Sequence, residues 1–361
     1  LAMLVGAERR DEDVVAAPKA TLSDSLATQA ILKQIINASL ADGLARSQGS
    51  LRDVLDDADD DVVSQVTIMF DDAATTAVDE SVSIDDRVSA VRLLGHAPFD
   101  KAANVLPKLF NARDPEKLQL EAIRALSSFD ESAVGELLVE HWRRYSPSVR
   151  REVAEALFAR TSRLPALLDA LAEGVVPAGQ LDPARRQSLL EHKDDAISRR
   201  ARDVIEQSQA GSRQAVVDRY KPALTMKGDA TRGAQVYEKN CMTCHRIGDK
   251  GFEVGPNVTE MKKRSAEELI THILDPNREV QPNYINYHLV TDDGRDLTGI
   301  IVAESATSVP RRRAEGVEDT VLRSSIDELE STSLSIMPEE FETAITPQDL
   351  ADLIAFILTT P

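Results

Sequence analysis

The 361-residue sequence contains only two cysteines, one tryptophan and 4% aromatic residues. Two cysteines exclude a scaffold stapled by disulfides. With so few rings, any core must be built from Leu, Ile, Val and Ala. No apolar run approaches the roughly 20 residues of a membrane-spanning helix. Basic side chains are outnumbered 42 to 61, a net charge of −19, which argues against general binding to a phosphate backbone. Hydrophobic residues, by contrast, reach 42%, enough for sizeable cores and too many for a disordered chain. The length suits more than one folded unit. The opening stretch Leu1 to Ala7 is apolar but too short for an export signal, and Met3 is not the first residue. The chain is therefore expected to continue upstream, with any such signal beyond it.

Residues 1–83 read as an N-terminal helical segment, with Leu22, Leu26, Ile31, Ile35, Ile36 and Leu40 on one stripe. Asp57, Asp59 and Asp61 alternate as in a calcium loop, but Val62 and Ile68 stand where that loop needs Gly and Glu. A helix-capping turn is the better reading. From residue 84 a pattern recurs: Asp85 to Leu94, Leu118 to Leu126, Val149 to Leu157 and, more loosely, Ile197 to Ile205. Leu94, Leu126 and Leu157 lie one short helical hairpin apart, with second helices at Ala133–Trp142 and Leu164–Leu171 between copies. These units, over 84–208, resemble HEAT repeats, which stack because no single pair buries its apolar face alone. Such an array serves as a docking surface or as a spacer; His141 and Trp142 belong to its core or rim. Residues 209–227 read as a linker and 228–361 as a second domain.

That domain carries both cysteines in Cys241-Met242-Thr243-Cys244-His245. Two thiols at this spacing reach both vinyl groups along one porphyrin edge, and the next residue turns its imidazole beneath the iron. This is the c-type haem attachment pattern. Zinc needs about four ligands, and no second CxxC exists; a thiol redox pair needs a strand–helix context. The cofactor expected is one haem c, bound covalently through Cys241 and Cys244, with His245 as an iron ligand.

Gly233, Tyr237 and Cys241 fall one per turn on a helix expected from Thr231 to Asn240. A last helix starts at Thr346-Pro347, an N-cap with proline at the first helical position, and carries Leu350, Leu353, Ile354 and Ile357 on one face. A crossing of these two helices, with Gly allowing close approach and Tyr237 packing beside the haem, resembles class I cytochrome c. In that family a proline carbonyl accepts the histidine's free N–H, and Pro256 of Gly255-Pro256-Asn257 matches it. Met337, in Ser335-Ile336-Met337-Pro338 before the last helix, matches the family's axial methionine. Met261, His272 and His288 remain as alternatives. His/Met ligation fills both axial positions and favours electron transfer over oxygen chemistry.

Between the helix at Ala266–Leu274 and Met337 lies an insert, about 282–332, with strand patterns at Tyr284–Thr291, Leu297–Glu304, Ser308–Arg312, Thr320–Arg323 and Ile326–Ser331. Arg311-Arg312-Arg313 stands out where residues 229–361 hold 13 basic and 24 acidic side chains. It reads as a solvated edge strand, or as a patch that steers an acidic partner.

Gly233, the CMTCH run, Val254-Gly255-Pro256-Asn257, Ile273-Leu274-Asp275-Pro276-Asn277, Asp293-Gly294 with Thr298-Gly299, and Met337-Pro338 together resemble one further family. It is the C-terminal haem-binding domain of membrane-bound dehydrogenases of the Planctomycetes–Verrucomicrobia type. Leu167–Leu171 and Leu181–Gln187 resemble the helical segment that precedes it there. The resemblance implies attachment at Cys241 and Cys244, His245 and Met337 as iron ligands, and no ligand role for His272. The fold expected is mainly α: a HEAT-like solenoid, then a class I-like cytochrome c domain with a small antiparallel insert. The function expected is an electron-transfer module without catalytic residues of its own, located outside the cytoplasm. It would relay electrons from an associated dehydrogenase to another carrier. A haem peroxidase or gas sensor with a displaceable ligand, and an adaptor with an idle haem, are the competing readings.

Overall fold

The computed structural model describes residues 60–210 and 213–360, with positions 3, 38, 39 and 43. The stripe from Leu22 to Leu40 and the aspartates from Asp56 to Asp59 lie outside the described residues. The chain divides into two compact units. One contains the residues up to His141 together with Arg151–Leu164; the other contains Trp142–Arg150 and Pro165–Pro361.

The first unit is built from α1 (Asp60–Val78), α2 (Ile84–Leu94), α3 (Phe99–Val105), α4 (Glu116–Ser127), α5 (Ala133–Glu140) and most of α6 (Pro147–Phe158). Ser83 caps α2 by accepting from the Asp86 amide. Leu94, Leu126 and Leu157, equivalent in the sequence pattern, are fully buried. Each helix thus spends its apolar face on its neighbour, as repeat stacking requires. A polar register runs through the same pattern. Arg87 is buried and donates through Nη2 to Asp114 Oδ1 at 2.7 Å. Gln119, the next equivalent, donates to the Asp114 carbonyl at 2.8 Å. Arg163, with no exposed surface, donates to the carbonyls of Ala156 (2.6 Å), Ser127 (2.7 Å) and Phe129 (2.8 Å). These bonds supply donors to acceptors at helix ends and in the turns between helices.

Besides Trp142–Arg150, the second unit contains nearly all of α7 (Leu164–Ala172), with α8 (Pro183–Leu190), α9 (Asp195–Ala210) and α10 (Gln214–Tyr220). The last two expected repeat helices therefore pack in this unit. So does the segment expected to link the domains. It contains α10 and a 3₁₀ turn at Lys221–Leu224, and buries Val217, Tyr220 and Ala223. The Tyr220 hydroxyl donates to the Ile345 carbonyl at 2.7 Å. Beyond lie α11 (Ala230–Asn240), a two-stranded ribbon of β1 (Arg246–Ile247) and β2 (Lys250–Gly251), and α12 (Ala266–Leu274).

The insert forms β3 (Ile285–Thr291), β4 (Asp296–Ile301), β5 (Ser308–Arg312), β6 (Glu318–Leu322) and β7 (Ile326–Ser335). They make an antiparallel sheet in the order β6-β5-β4-β3-β7. Alternate residues of β3, Ile285, Tyr287, Leu289 and Thr291, face inward. One expectation needs correction. β5 is not an edge strand, since β4 and β6 flank it. The arginines of the run are engaged as well: Arg311 with Asp319 at 2.6 Å, Arg312 with Glu318 at 2.6 Å and Arg313, just past β5, with Asp319 at 3.4 Å. The acidic residues of β6 lie opposite the basic ones of β5 in register, so the run is matched across the strands and not left as a free basic patch.

Helix α13 (Pro347–Thr359) closes the unit. Thr346 and Asp349 form a reciprocal capping box, and Leu350, Leu353, Ile354 and Ile357 are buried.

Candidate functional site

Helix α11 is capped by Asp229, whose carboxylate accepts from the Thr231 and Arg232 amides. A Cβ on Gly233 would sit 2.0 Å from the Asp352 carbonyl. Only glycine therefore lets α11 and α13 cross this closely. One turn on, Tyr237 is 1% exposed, packs at a tilt with its ring centroid 5.5 Å from that of Phe356, and donates to the His245 carbonyl at 2.6 Å. Burial raises the pKa of this phenol, and the nearby Cys241 adds to the effect, so it remains a donor.

The cysteines follow in a tight turn. The amides of Cys244 and His245 both bond the Cys241 carbonyl, at 3.1 and 2.9 Å, and the Val254 and Gly255 amides return to the Cys244 carbonyl. Neither cysteine is in a disulfide. Burial, with Cys244 adding to it, pushes the Cys241 thiol up to about 12. A thiol–disulfide centre requires the opposite shift, toward the thiolate. The Cys241 thiol is therefore poorly placed to start thiol–disulfide exchange.

His245 Nδ1 lies 2.8 Å from the Pro256 carbonyl. A carbonyl only accepts, so this nitrogen carries the proton and Nε2 keeps its lone pair, the tautomer that suits an iron ligand. Burial holds the imidazole below its usual pKa, against the opposing pull of the Pro256 contact. Two glycines make room for the ring and its backbone. A Cβ on Gly255 would lie 2.5 Å from His245 Cε1, and one on Gly251, where φ is 91°, would lie 2.1 Å from the His245 carbonyl.

These groups open onto a cavity of about 560 Å³, a volume in the usual range for cofactor pockets. Tyr237, Cys241, Cys244, His245, Pro256 and Met337 all line it. So do Met261 and His272, the rivals of Met337, along with apolar Val258, Leu269, Ile273, Phe341 and Leu353. His288 does not line it; it sits on β3, and its Nε2 meets Asp296 at 2.5 Å. Adjacent thiols, an imidazole with a free nitrogen, thioether donors and a largely apolar wall fit a covalently held haem. Among the described residues, no cluster of three or more His, Cys, Asp or Glu could hold a bare metal ion.

Sequence reasoning missed one wall. Gly179, Gln180, Leu181, Asp182, Pro183 and Arg186 also border the cavity, from the turn before α8 and its first residues. The Gly179 carbonyl accepts from the Val280 amide at 2.9 Å, and Arg186 pairs with Glu279. A Cβ on Gly179 would meet the Arg278 carbonyl at 2.7 Å. No ligand type or spacing marks this stretch; only its glycine hints at a close approach.

Comparison with known proteins fits this geometry. Residues 228–296 match the family described as cytochrome C oxidase, cbb3-type, subunit III. They form a cytochrome c domain. Residues 72–159 match HEAT repeats. The chain is also 29% identical over 75 residues to a cytochrome c-553-like protein of Synechocystis sp. (strain ATCC 27184 / PCC 6803 / Kazusa), an alignment covering 18% of this chain and 70% of that protein. A cytochrome c domain implies haem c, and Cys241 and Cys244 have the spacing for one covalent attachment. Such a domain acts as an electron-transfer haem module and implies redox partners. Among the described residues, no helix is long and apolar enough to cross a membrane.

Proposed function

We propose that this protein is an extracytoplasmic electron carrier with one haem c, attached through Cys241 and Cys244 and ligated by His245 and Met337. It would take electrons from an associated dehydrogenase, of the kind the sequence resembles, and pass them to another carrier. When bound, the haem supplies reversible one-electron chemistry between ferric and ferrous iron. The protein's own residues supply the setting. His245 presents Nε2 because Pro256 fixes the proton on Nδ1. Tyr237 braces the backbone of His245 through its carbonyl. The apolar wall excludes water and lowers the reorganisation that accompanies a change of charge.

The supporting observation is the convergence of both cysteines, His245 and Met337 on one cavity. Its test is the absorption spectrum of the haem-bearing ferric protein. A low-spin spectrum is expected, with a weak long-wavelength sulfur-to-iron band that disappears in Met337→Ala and persists in Met261→Ala and His272→Ala. High-spin iron in the unaltered protein would instead indicate an open coordination position and favour a sensor or peroxidase. Persistence of the band in Met337→Ala would move the ligand to Met261.

A further inference from the structure

The wall that sequence reasoning missed is backed by a buried cation. Arg150, in the first turn of α6, is 2% exposed. It donates to the Trp142 carbonyl (3.1 Å), to Gln180 Oε1 (3.2 Å) and to the Arg143 carbonyl (3.3 Å). Its guanidinium lies 5.6 Å from the Trp142 ring centroid and 5.4 Å from that of Tyr287. Every one of these partners is neutral. Gln180, which also accepts from Trp142 Nε1 at 2.9 Å, lines the haem cavity. Arg150 is therefore one side chain removed from it.

The repeat pattern sharpens the contrast. Arg150 occupies the register of Arg87, and Arg87 faces the carboxylate of Asp114. In the second unit an amide stands where a carboxylate would neutralise the guanidinium. The other charges on this wall cancel locally: Arg186 pairs with Glu279, and Asp182 with Arg185 at 2.6 Å. A charge held among aromatic rings and amides, beyond the reach of counterions, acts over a longer distance than a surface charge.

We propose that Arg150 is an electrostatic tuner of the haem, a buried positive charge behind Gln180 that favours the ferrous over the ferric state. This rests on the haem reading given above. Removing the charge should lower the ferrous-to-ferric ratio at a fixed solution potential, by about threefold or more. A purely structural Arg150, serving only to tie the turn at Trp142–Arg144, would change stability and leave that ratio alone.

The experiment is a redox titration of the full haem-bearing chain, comparing Arg150→Met, Arg150→Gln and Arg150→Lys with the unaltered protein at low and at half-molar salt. Met matches the aliphatic stem but removes the donors to the Trp142 and Arg143 carbonyls; Gln keeps hydrogen-bonding capacity if Met does not accumulate. The ratio should fall in Met and Gln, stay near the original in Lys, and the difference should survive high salt. An unchanged ratio in a neutral variant with intact low-spin haem overturns the proposal. So does an equal fall in Lys, which would mark a packing effect. A chain that carries no low-spin haem at all overturns the function reading instead, so the two failures are separable.

Discussion

At the scale of single residues, His245 depends on what its neighbours do not have. Gly255 lies against the imidazole with no space for a methyl group, and a Cβ there would come within 2.9 Å of both ring nitrogens. In Gly255→Ala the ring or its loop must shift to relieve this contact. The expected result is a perturbed haem spectrum and a loss of about 1–3 kcal/mol of stability, read by absorption and chemical denaturation. Native ligation and stability in that variant would mean the loop yields freely. The attachment residues were legible in the sequence because covalent chemistry imposes a fixed spacing on Cys241, Cys244 and His245. Gln180 and Arg186 were not legible. They reach the cavity through a backbone bond between Gly179 and Val280, residues about a hundred apart, and nothing in their types announces that partner.

At the scale of elements, the crossing of α11 and α13 is held by polar as well as apolar contacts. Asp352, 1% exposed, accepts from Arg232 Nε at 2.6 Å and Nη2 at 2.9 Å, from the Asp229 amide at 2.8 Å and from Gln348 at 2.9 Å. These donors, Arg232 foremost, hold its carboxyl below the usual carboxylate range. The folded state therefore favours the charged form more than the unfolded chain does. The stabilisation is complete above the unfolded carboxylate pKa and is lost as the pH falls through the lowered folded value. Asp352→Asn should melt below the unaltered protein at neutral pH, with the gap closing in acid. A gap independent of pH would assign the effect to packing. The strands of the insert and both crossing helices were legible from alternation and from the Thr346-Pro347 start signal. The place of β5 within the sheet was not, because strand order is set by tertiary pairing and leaves no local mark.

At the scale of the whole molecule, the acidic chain joins HEAT repeats to a cytochrome c domain, and the two have separable sources of stability. In the repeat unit Arg163 donates to three main-chain carbonyls. Arg163→Met removes these three bonds and should cost about 3 kcal/mol, seen as a lower urea midpoint for the repeat unit with the haem spectrum unchanged. A simultaneous loss of the haem signal would show that the two units unfold as one.

The bond from Asp229 to Asp352 spans 123 residues. Tyr237 of α11 and Leu353 and Ile357 of α13 line the cavity, so this wall is complete only when the last helix has returned to the first. Closing so long a loop is a late event in the history of the chain. A cofactor held by coordination alone would have no finished pocket to wait in. Two thiols within a five-residue turn would hold a haem by covalent bonds that do not depend on the finished pocket.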